Sequence, residues 1–140
     1  MNRNSRAFAA ATLAVTAMIV AGFWIIGSPA HERRIHQDLR TVQALHCLAS
    51  DIYTSYSSKH TLAADLGQFR CDDTQDPTTH KTFIYRVKSG STYELCATFL
   101  TNNTSDYPNN TPFWRHPEGA QCFQLDASVD VPVAPIDNSF

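Results

Sequence analysis

The feature that most constrains this chain of 140 residues is an uncharged run of 21 residues, Ala7–Gly27 (AFAAATLAVTAMIVAGFWIIG). At about 1.5 Å per residue, a helix over this run is roughly 31 Å long, which matches the ~30 Å hydrocarbon core of a bilayer. Phe23 and Trp24 near its end are residues that favour the membrane interface. The run predicts a transmembrane helix over residues 7–27, after a short tail at 1–6, with the lipid bilayer as its partner.

The same segment has a second interpretation, a signal peptide that is removed. Arg3 and Arg6 form a basic region before the apolar run, and Ser28-Pro29-Ala30 resembles a small-residue cleavage site. The apolar run is longer than the core of about 7–15 residues that signal peptides carry, which favours a retained anchor. A buried core helix is the third interpretation, because so long an uncharged run is unusual in a small soluble domain.

Helical and strand periodicities follow the apolar run and predict an α+β fold. A stripe of apolar residues at steps of three and four predicts an amphipathic helix, and Thr61–Leu66 predicts a short second helix that ends at Gly67. Residues 81–88 and 92–100 alternate around Ser89-Gly90-Ser91 and predict a hairpin, and residues 121–125 predict a third strand. The stripe consists of Ile35, Leu39, Val42, Leu45, Ala49, Ile52 and Tyr56.

The predicted architecture is a long N-terminal helix, first transmembrane and then amphipathic, packed on a small antiparallel sheet of about three strands. The domain covers residues 28–127, and residues 128–140, with Pro132 and Pro135, form a flexible tail. Ser28-Pro29 is compatible with a fresh helix start, with Ser as N-cap, or with a kink in one continuous helix.

Three of the four cysteines fall on the faces of their elements that lie away from the predicted core, and the fourth, Cys71, begins a polar loop rich in turn-forming residues. Cys96 alternates with Leu95 and Ala97 on its strand, and Cys122 alternates with Phe123. Facing residues of adjacent antiparallel strands come close enough for a disulfide, so we expect Cys96 to pair with Cys122. Cys47, on the polar face of its helix, then pairs with Cys71 by elimination, although four cysteines permit three connectivities.

Cysteine usage also indicates the compartment. The basic residues on the two sides of the apolar run, Arg3 and Arg6 against Arg33, Arg34 and Arg40, nearly balance, so the positive-inside rule does not orient the chain. All four cysteines follow the apolar run, an even number on one side of the membrane, which suits an oxidising space outside the cytoplasm. Four unpaired thiols in a cytosolic domain are the alternative.

No catalytic constellation, phosphate-binding loop or dinucleotide fingerprint occurs in the sequence. The net charge of −2 does not favour a nucleic-acid partner. Asp72, Asp73 and Asp76 are oxygen ligands that calcium accepts, but their spacing is not that of an EF-hand, and Asp is common in turns. His116 is expected in an aromatic loop docked on the sheet. We predict no catalytic, cofactor-binding or metal-binding residue and no small-molecule substrate, hence a protein that is not an enzyme.

Several stretches carry a family resemblance. The order of a transmembrane helix, an amphipathic helix and a small sheet with a disulfide, together with the run 76–85 (DPTTHKTFIY), resembles type IV pilins and type II secretion pseudopilins. More specifically, RTVQAL at 40–45, YELCATF at 93–99, WRHPEG at 114–119 and Cys122-Phe123 are similar to bacterial membrane-anchored proteins of unassigned function with such ectodomains. The resemblance covers most of residues 7–125 and implies a pilin-like domain outside the cytoplasm.

One departure from that family bears on processing. Prepilins carry a Gly-Phe junction after a short basic leader and a Glu at the fifth position that follows it. Here Gly22-Phe23 lies deep inside the apolar run, Gly27 occupies the fifth position, and residues 1–30 contain no acidic residue. We therefore expect a permanent anchor rather than a processed filament subunit.

The expected function is a structural or protein-interaction role at the bacterial envelope. The protein would be a single-pass protein of the inner membrane with its C-terminal domain in the periplasm, and its partner would be an envelope or secretion-system protein. The alternatives are a minor pseudopilin of a secretion or pilus apparatus, and a secreted disulfide-stabilised binding or inhibitor domain. A partner-helix role for part of the apolar stripe is also open.

Overall fold

The structure is a computed structural model that describes residues 3–26, 29–69, 71, 75–103 and 112–134; within the first helix it describes the side chains of residues 8–22. Within these residues the elements are two α-helices, α1 (Arg3–Ile26) and α2 (Pro29–Lys59), three strands, β1 (Ile84–Ser89), β2 (Thr92–Phe99) and β3 (Gly119–Asp126), and one turn of 3-10 helix, Pro112–Trp114. The α+β class and the antiparallel three-stranded sheet are confirmed. The chain divides into two units, Met1–Arg33 and Arg34–Phe140, and each is described by itself.

The first unit contains α1. The hydroxyls of Thr12 and Thr16 donate to the carbonyl oxygens of Phe8 and Thr12, both at 2.8 Å, so these polar groups are satisfied within the helix. Among the residues that the structure describes, no helix is both long enough and apolar enough to cross a membrane. The transmembrane role of residues 7–27 stays a prediction, and the predicted N-cap, Ser28, lies outside the described residues.

In the second unit, α2 buries one face in the core, as its apolar periodicity predicts. Val42, Leu45, Ala49 and Ile52 are buried, whereas Ile35, Leu39 and Tyr56 towards the ends of the stripe are only partly covered. The helix ends at Lys59, and His60 follows with φ 53°, a left-handed conformation in which its N–H donates to the carbonyl of Tyr56 at 2.7 Å.

The sheet has the order β1-β2-β3, so β2 lies in the centre. The predicted core face of β2 is confirmed, since Tyr93, Leu95, Ala97 and Phe99 are all buried. They share one apolar cluster with the buried residues of α2 and with Trp114, Phe123 and Leu125. Gly90 has φ 55° in the turn between β1 and β2, a conformation that costs glycine little. The helix and one face of the sheet therefore enclose a single core.

The predicted short helix over Thr61–Leu66 is wrong, because this segment forms bends and turns. The carboxylate of Asp65 accepts the N–H of Gly67 at 2.8 Å, which closes a local turn. The carbonyl of Ala63, which a helix would keep for a later N–H, accepts the hydroxyl of Tyr85 at 3.0 Å. Tertiary contacts of this segment therefore outweigh its helical pattern.

The end of the described chain is attached to the core without regular structure. Val131 packs against the apolar cluster, and the carbonyl of Pro132 accepts the indole N–H of Trp114 at 3.0 Å. Residues 135–140 of the predicted tail lie outside the described residues.

The core can be tested at Leu45, which is fully buried where α2 faces the sheet. We expect Leu45→Ala to lower the free energy of unfolding by about 2–5 kcal/mol, because it removes buried methyl groups and leaves a cavity. Val87→Ala is the control, since Val87 is 48% exposed and its truncation should cost much less. Chemical denaturation with the disulfides intact measures both, and equal losses would contradict this packing.

Candidate functional site

The Cys96–Cys122 disulfide joins two directly opposed residues of β2 and β3, as the sequence analysis expects. The N–H of Ala127 donates to the carbonyl of Ser91 at 2.9 Å, which marks the Ser91–Ala127 pair as hydrogen-bonded. Since hydrogen-bonded and non-hydrogen-bonded pairs alternate along an antiparallel ladder, Cys96 and Cys122 form a non-hydrogen-bonded pair. Their Cα atoms are 4.0 Å apart, near the short spacing of such pairs, so the disulfide fits the register of the sheet.

The face of the sheet that carries this disulfide is polar and faces solvent. Glu94, next to Cys96 on that face, forms ion pairs with Arg86 at 3.6 Å and Lys88 at 3.3 Å. Cys96 itself is only 5% exposed, because it lies on the central strand, whereas Cys122 is exposed on β3. The disulfide therefore lies outside the apolar core, on the open face of the sheet, with Cys96 covered and Cys122 exposed.

The Cys47–Cys71 disulfide ties α2 to the segment that follows it, and it completes the pairing that the sequence analysis expects. Cys47 is exposed on the helix face opposite the core, and Cys71 is buried. The carboxylate of Asp51, one turn further along α2, lies 3.6 Å from the sulfur of Cys71. No free cysteine remains, and each bond closes a loop of similar size, with sequence separations of 24 and 26.

Glu94, Cys96 and Cys122 bring three potential metal-ligand atoms within 4.8 Å of one another. Both sulfurs belong to a disulfide, and a disulfide sulfur lacks the thiolate charge that metal ions bind. The cluster therefore offers only one carboxylate, and that carboxylate is already paired with two cations. In its oxidised form the group does not make a metal site.

Two buried carboxylates accept backbone N–H groups around one end of β2. Asp38 on α2 accepts the N–H of Leu100 and of Thr101, both at 2.8 Å, and also the Thr101 hydroxyl. Asp76 accepts the N–H of Thr98 at 3.0 Å and that of Thr78 at 2.8 Å. Both therefore replace strand partners that β2 lacks at this end.

This use of Asp76 bears on the calcium hypothesis. One of its carboxylate oxygens binds the N–H of Thr98 and the other binds the turn that follows it, so Asp76 acts as a structural acceptor. Asp72 and Asp73 lie outside the described residues. Asp38, by contrast, has no local sequence pattern that predicts its role as an acceptor for Leu100 and Thr101.

His116 docks on the sheet as expected for the aromatic loop. Its ring stacks on Phe99 with centroids 3.6 Å apart and planes 15° from parallel, and its exposure is 1%. The carbonyl of His116 accepts the backbone N–H of Asn103, and its own N–H donates to the side-chain oxygen of Asn103. Burial lowers the pKa of His116, and hydrogen bonding to the Pro117 carbonyl and the charge of Asp38 oppose that shift only in part. The imidazole is a neutral core ring.

Comparison with known proteins gives no relative for this chain: no family model matches it, and neither does a curated protein or a solved structure. Its site is therefore interpreted from its own geometry.

Replacing Asp38 tests the buried carboxylate. Asp38→Ala leaves the N–H groups of Leu100 and Thr101 buried without an acceptor, so we expect a loss of about 2–4 kcal/mol in the free energy of unfolding. Asp65→Ala removes a single exposed carboxylate bond and should cost less than about 1 kcal/mol. If Asp38→Ala proved as mild as Asp65→Ala in denaturant titrations, the structural role of Asp38 would be refuted.

The lowered pKa of His116 makes the free energy of unfolding depend on pH. Because its pKa is lowered in the folded state, the unfolded chain binds more protons once the pH falls below its ordinary value of about 6.5. Stability is therefore lost as the pH falls through this range towards the folded pKa. We expect His116→Phe, which keeps a ring on Phe99, to reduce the difference in unfolding free energy between pH 7 and pH 5.

The control for that experiment is His80→Asn, which removes an exposed histidine and leaves the buried ring of His116 in place. His46, whose pKa is lowered by burial and raised in part by the charge of Asp130, remains in both proteins and contributes to the pH dependence that is left. An unchanged slope in His116→Phe would show that His116 does not carry the effect.

Proposed function

We propose that this chain is a non-enzymatic single-pass protein of the bacterial inner membrane. Its disulfide-stabilised, pilin-like domain lies in the periplasm, where it has a structural or protein-interaction role. The observation that carries the proposal is the pairing of all four cysteines within one small domain. Such bonds form and persist in oxidising compartments and are rare in the cytosol.

The side chains of α1 support a membrane anchor. Six large apolar side chains of this helix are more than half exposed, and they occur on all of its turns between residues 8 and 20: Phe8, Leu13, Val15, Met18, Ile19 and Val20. Exposed apolar surface of this extent favours contact with lipid or another apolar partner. The hydroxyls of Thr12 and Thr16 donate to the helix's own carbonyls, which is how such groups are tolerated in a bilayer.

The buried polar groups support a non-enzymatic role. Asp38 and Asp76 are engaged with backbone N–H groups, and His116 is covered and stacked on Phe99. The four sulfurs are paired, so none is available as a thiolate nucleophile. In the part of the chain that the structure describes, the groups most suited to acid–base or nucleophilic chemistry are thus employed in holding the fold.

Membrane attachment can be tested by alkaline carbonate extraction of membranes from bacteria that express the full chain. We expect the protein to stay in the pellet with an uncleaved N-terminus, as measured by intact mass. Replacing both Val15 and Ile19 by Arg should release it, because each Arg at the centre of a membrane helix costs about 2.5–3.5 kcal/mol. Replacing both by Leu is the matched control and should preserve attachment.

The mature N-terminus separates the alternatives. Cleavage after Ala30 with recovery in the soluble periplasmic fraction would replace the anchor with a secreted binding or inhibitor domain. Cleavage after Gly22 would favour a pseudopilin. Either product would overturn the proposed permanent anchor.

A further inference from the structure

The two edges of the sheet differ in their backbone and their charges. The hydrogen bond from Ala127 to Ser91 fixes the phase of the β2–β3 ladder, so the odd-numbered residues of β3 turn their N–H and C=O groups towards β2. The backbone groups of Ala120, Cys122, Gln124 and Asp126 therefore point away from the sheet. β3 presents a row of outward hydrogen-bonding groups over eight residues.

This outer edge of β3 is accessible. The side chains of Ala120, Cys122 and Gln124 are exposed, so this margin of the sheet is open on its polar face. Among the described residues, two long hydrogen bonds reach these outward backbone groups. The side-chain amide of Gln121 donates to the carbonyl of Cys122 at 3.3 Å, and at the end of the strand the N–H of Val129 donates to the carbonyl of Asp126 at 3.2 Å. A free strand edge of this kind is a template for another strand.

The opposite edge carries features that prevent strand pairing, and β3 does not. β1 is six residues long and presents Arg86 and Lys88, which share the single carboxylate of Glu94. Charged side chains on an edge strand discourage pairing with another sheet. β3 reads GAQCFQLD, with neither Lys, Arg nor Pro and with one charge at its end, Asp126. The same sheet is thus protected at one margin and open at the other.

We propose that the β3 edge pairs antiparallel with the β3 edge of a second copy of this chain, which gives a continuous six-stranded sheet. The register that places Cys122 opposite Gln124 of the second copy brings every outward N–H of β3 opposite a carbonyl of that copy. The carbonyl of Asp126, which already accepts the N–H of Val129, has a second lone pair for this bond. The same register places Asp126 opposite Ala120 of the second copy, so no like charges face each other. Pairing through β1 would instead bring Arg86 and Lys88 of both copies together.

A second copy is favoured over an unrelated strand because the edge is self-complementary. Its central side chains are neutral, so it offers no charge pattern that would select an acidic or a basic segment, and a two-fold arrangement satisfies both copies at once. The proposal goes beyond the proposed function and does not require the anchor, since the interface lies within the domain of residues 34–140.

The test uses the full chain, with a photo-crosslinking phenylalanine derivative placed at Gln124 or, as control, at Ile84. Irradiation in native membranes should give a covalent dimer from Gln124, with the crosslink mapped to residues 119–126 of the second copy, and little or none from Ile84. An adduct of different mass at Gln124, a dimer formed only from Ile84, or a monomer from both positions would overturn the proposal.

Substitutions then separate pairing from folding. Gln124→Pro removes an outward N–H, and Gln124→Lys adds a charge to the edge next to Glu94. Both substitutions should therefore raise the dissociation constant of the dimer at least about tenfold. Val87→Pro removes an outward N–H from the opposite edge and should leave the constant unchanged. Intact disulfides and unchanged circular dichroism establish folding. If Gln124→Lys folds and dimerises normally, the β3 edge is not the interface.

Discussion

The covalent bond between Cys96 and Cys122 fixes the register of the two strands on which the rest of the domain depends. β2 is the central strand, so its position relative to β3 decides where Tyr93, Leu95 and Phe99 meet α2. A slip of one residue would turn this face to solvent and bring the polar set into the core. Because the bond closes a long loop, it also restricts the unfolded chain, by roughly 3 kcal/mol in the chain-entropy model.

The two disulfides act on opposite sides of the core. One lies on the open face of the sheet, and the other on the face of α2 that points away from the sheet. Aromatic and aliphatic side chains such as Trp114 and Leu48 fill the core, and Cys71 is the one disulfide cysteine that belongs to this apolar cluster. A small domain buries a limited fraction of its surface, so these bonds contribute a large share of its stability.

Two buried carboxylates accept backbone N–H groups that have no partner strand. These N–H groups lie at and just after the end of β2, and they donate to Asp38 on α2 and to Asp76 in the turn before β1. The ring of His116 lies on Phe99 beside this end of the strand. Asp38, Asp76 and His116 therefore hold this end of β2 in place against α2 and the preceding turn.

Patterns that arise from a single element were predictable from the sequence. The 3.6-residue stripe of α2, the alternation in β2 and the displaced Cys96 and Cys122 all depend on local periodicity, and they led to the correct core faces and pairing. Asp38 was missed because its partners, Leu100 and Thr101, lie 62 and 63 residues away and leave no local signal. The helix predicted from Thr61 was wrong for a related reason, because a carbonyl of this segment accepts a hydrogen bond from the distant hydroxyl of Tyr85.

The central claim is that the folded domain exists with both disulfides formed where the protein resides. The most direct measurement is acid quenching of intact cells, alkylation without reductant, and mass spectrometry of the peptides that contain the four cysteines. The account predicts unlabelled sulfurs and peptides joined as Cys47–Cys71 and Cys96–Cys122. Stoichiometric labelling of any of the four before reduction would contradict it, because that cysteine would then be a free thiol in the living cell.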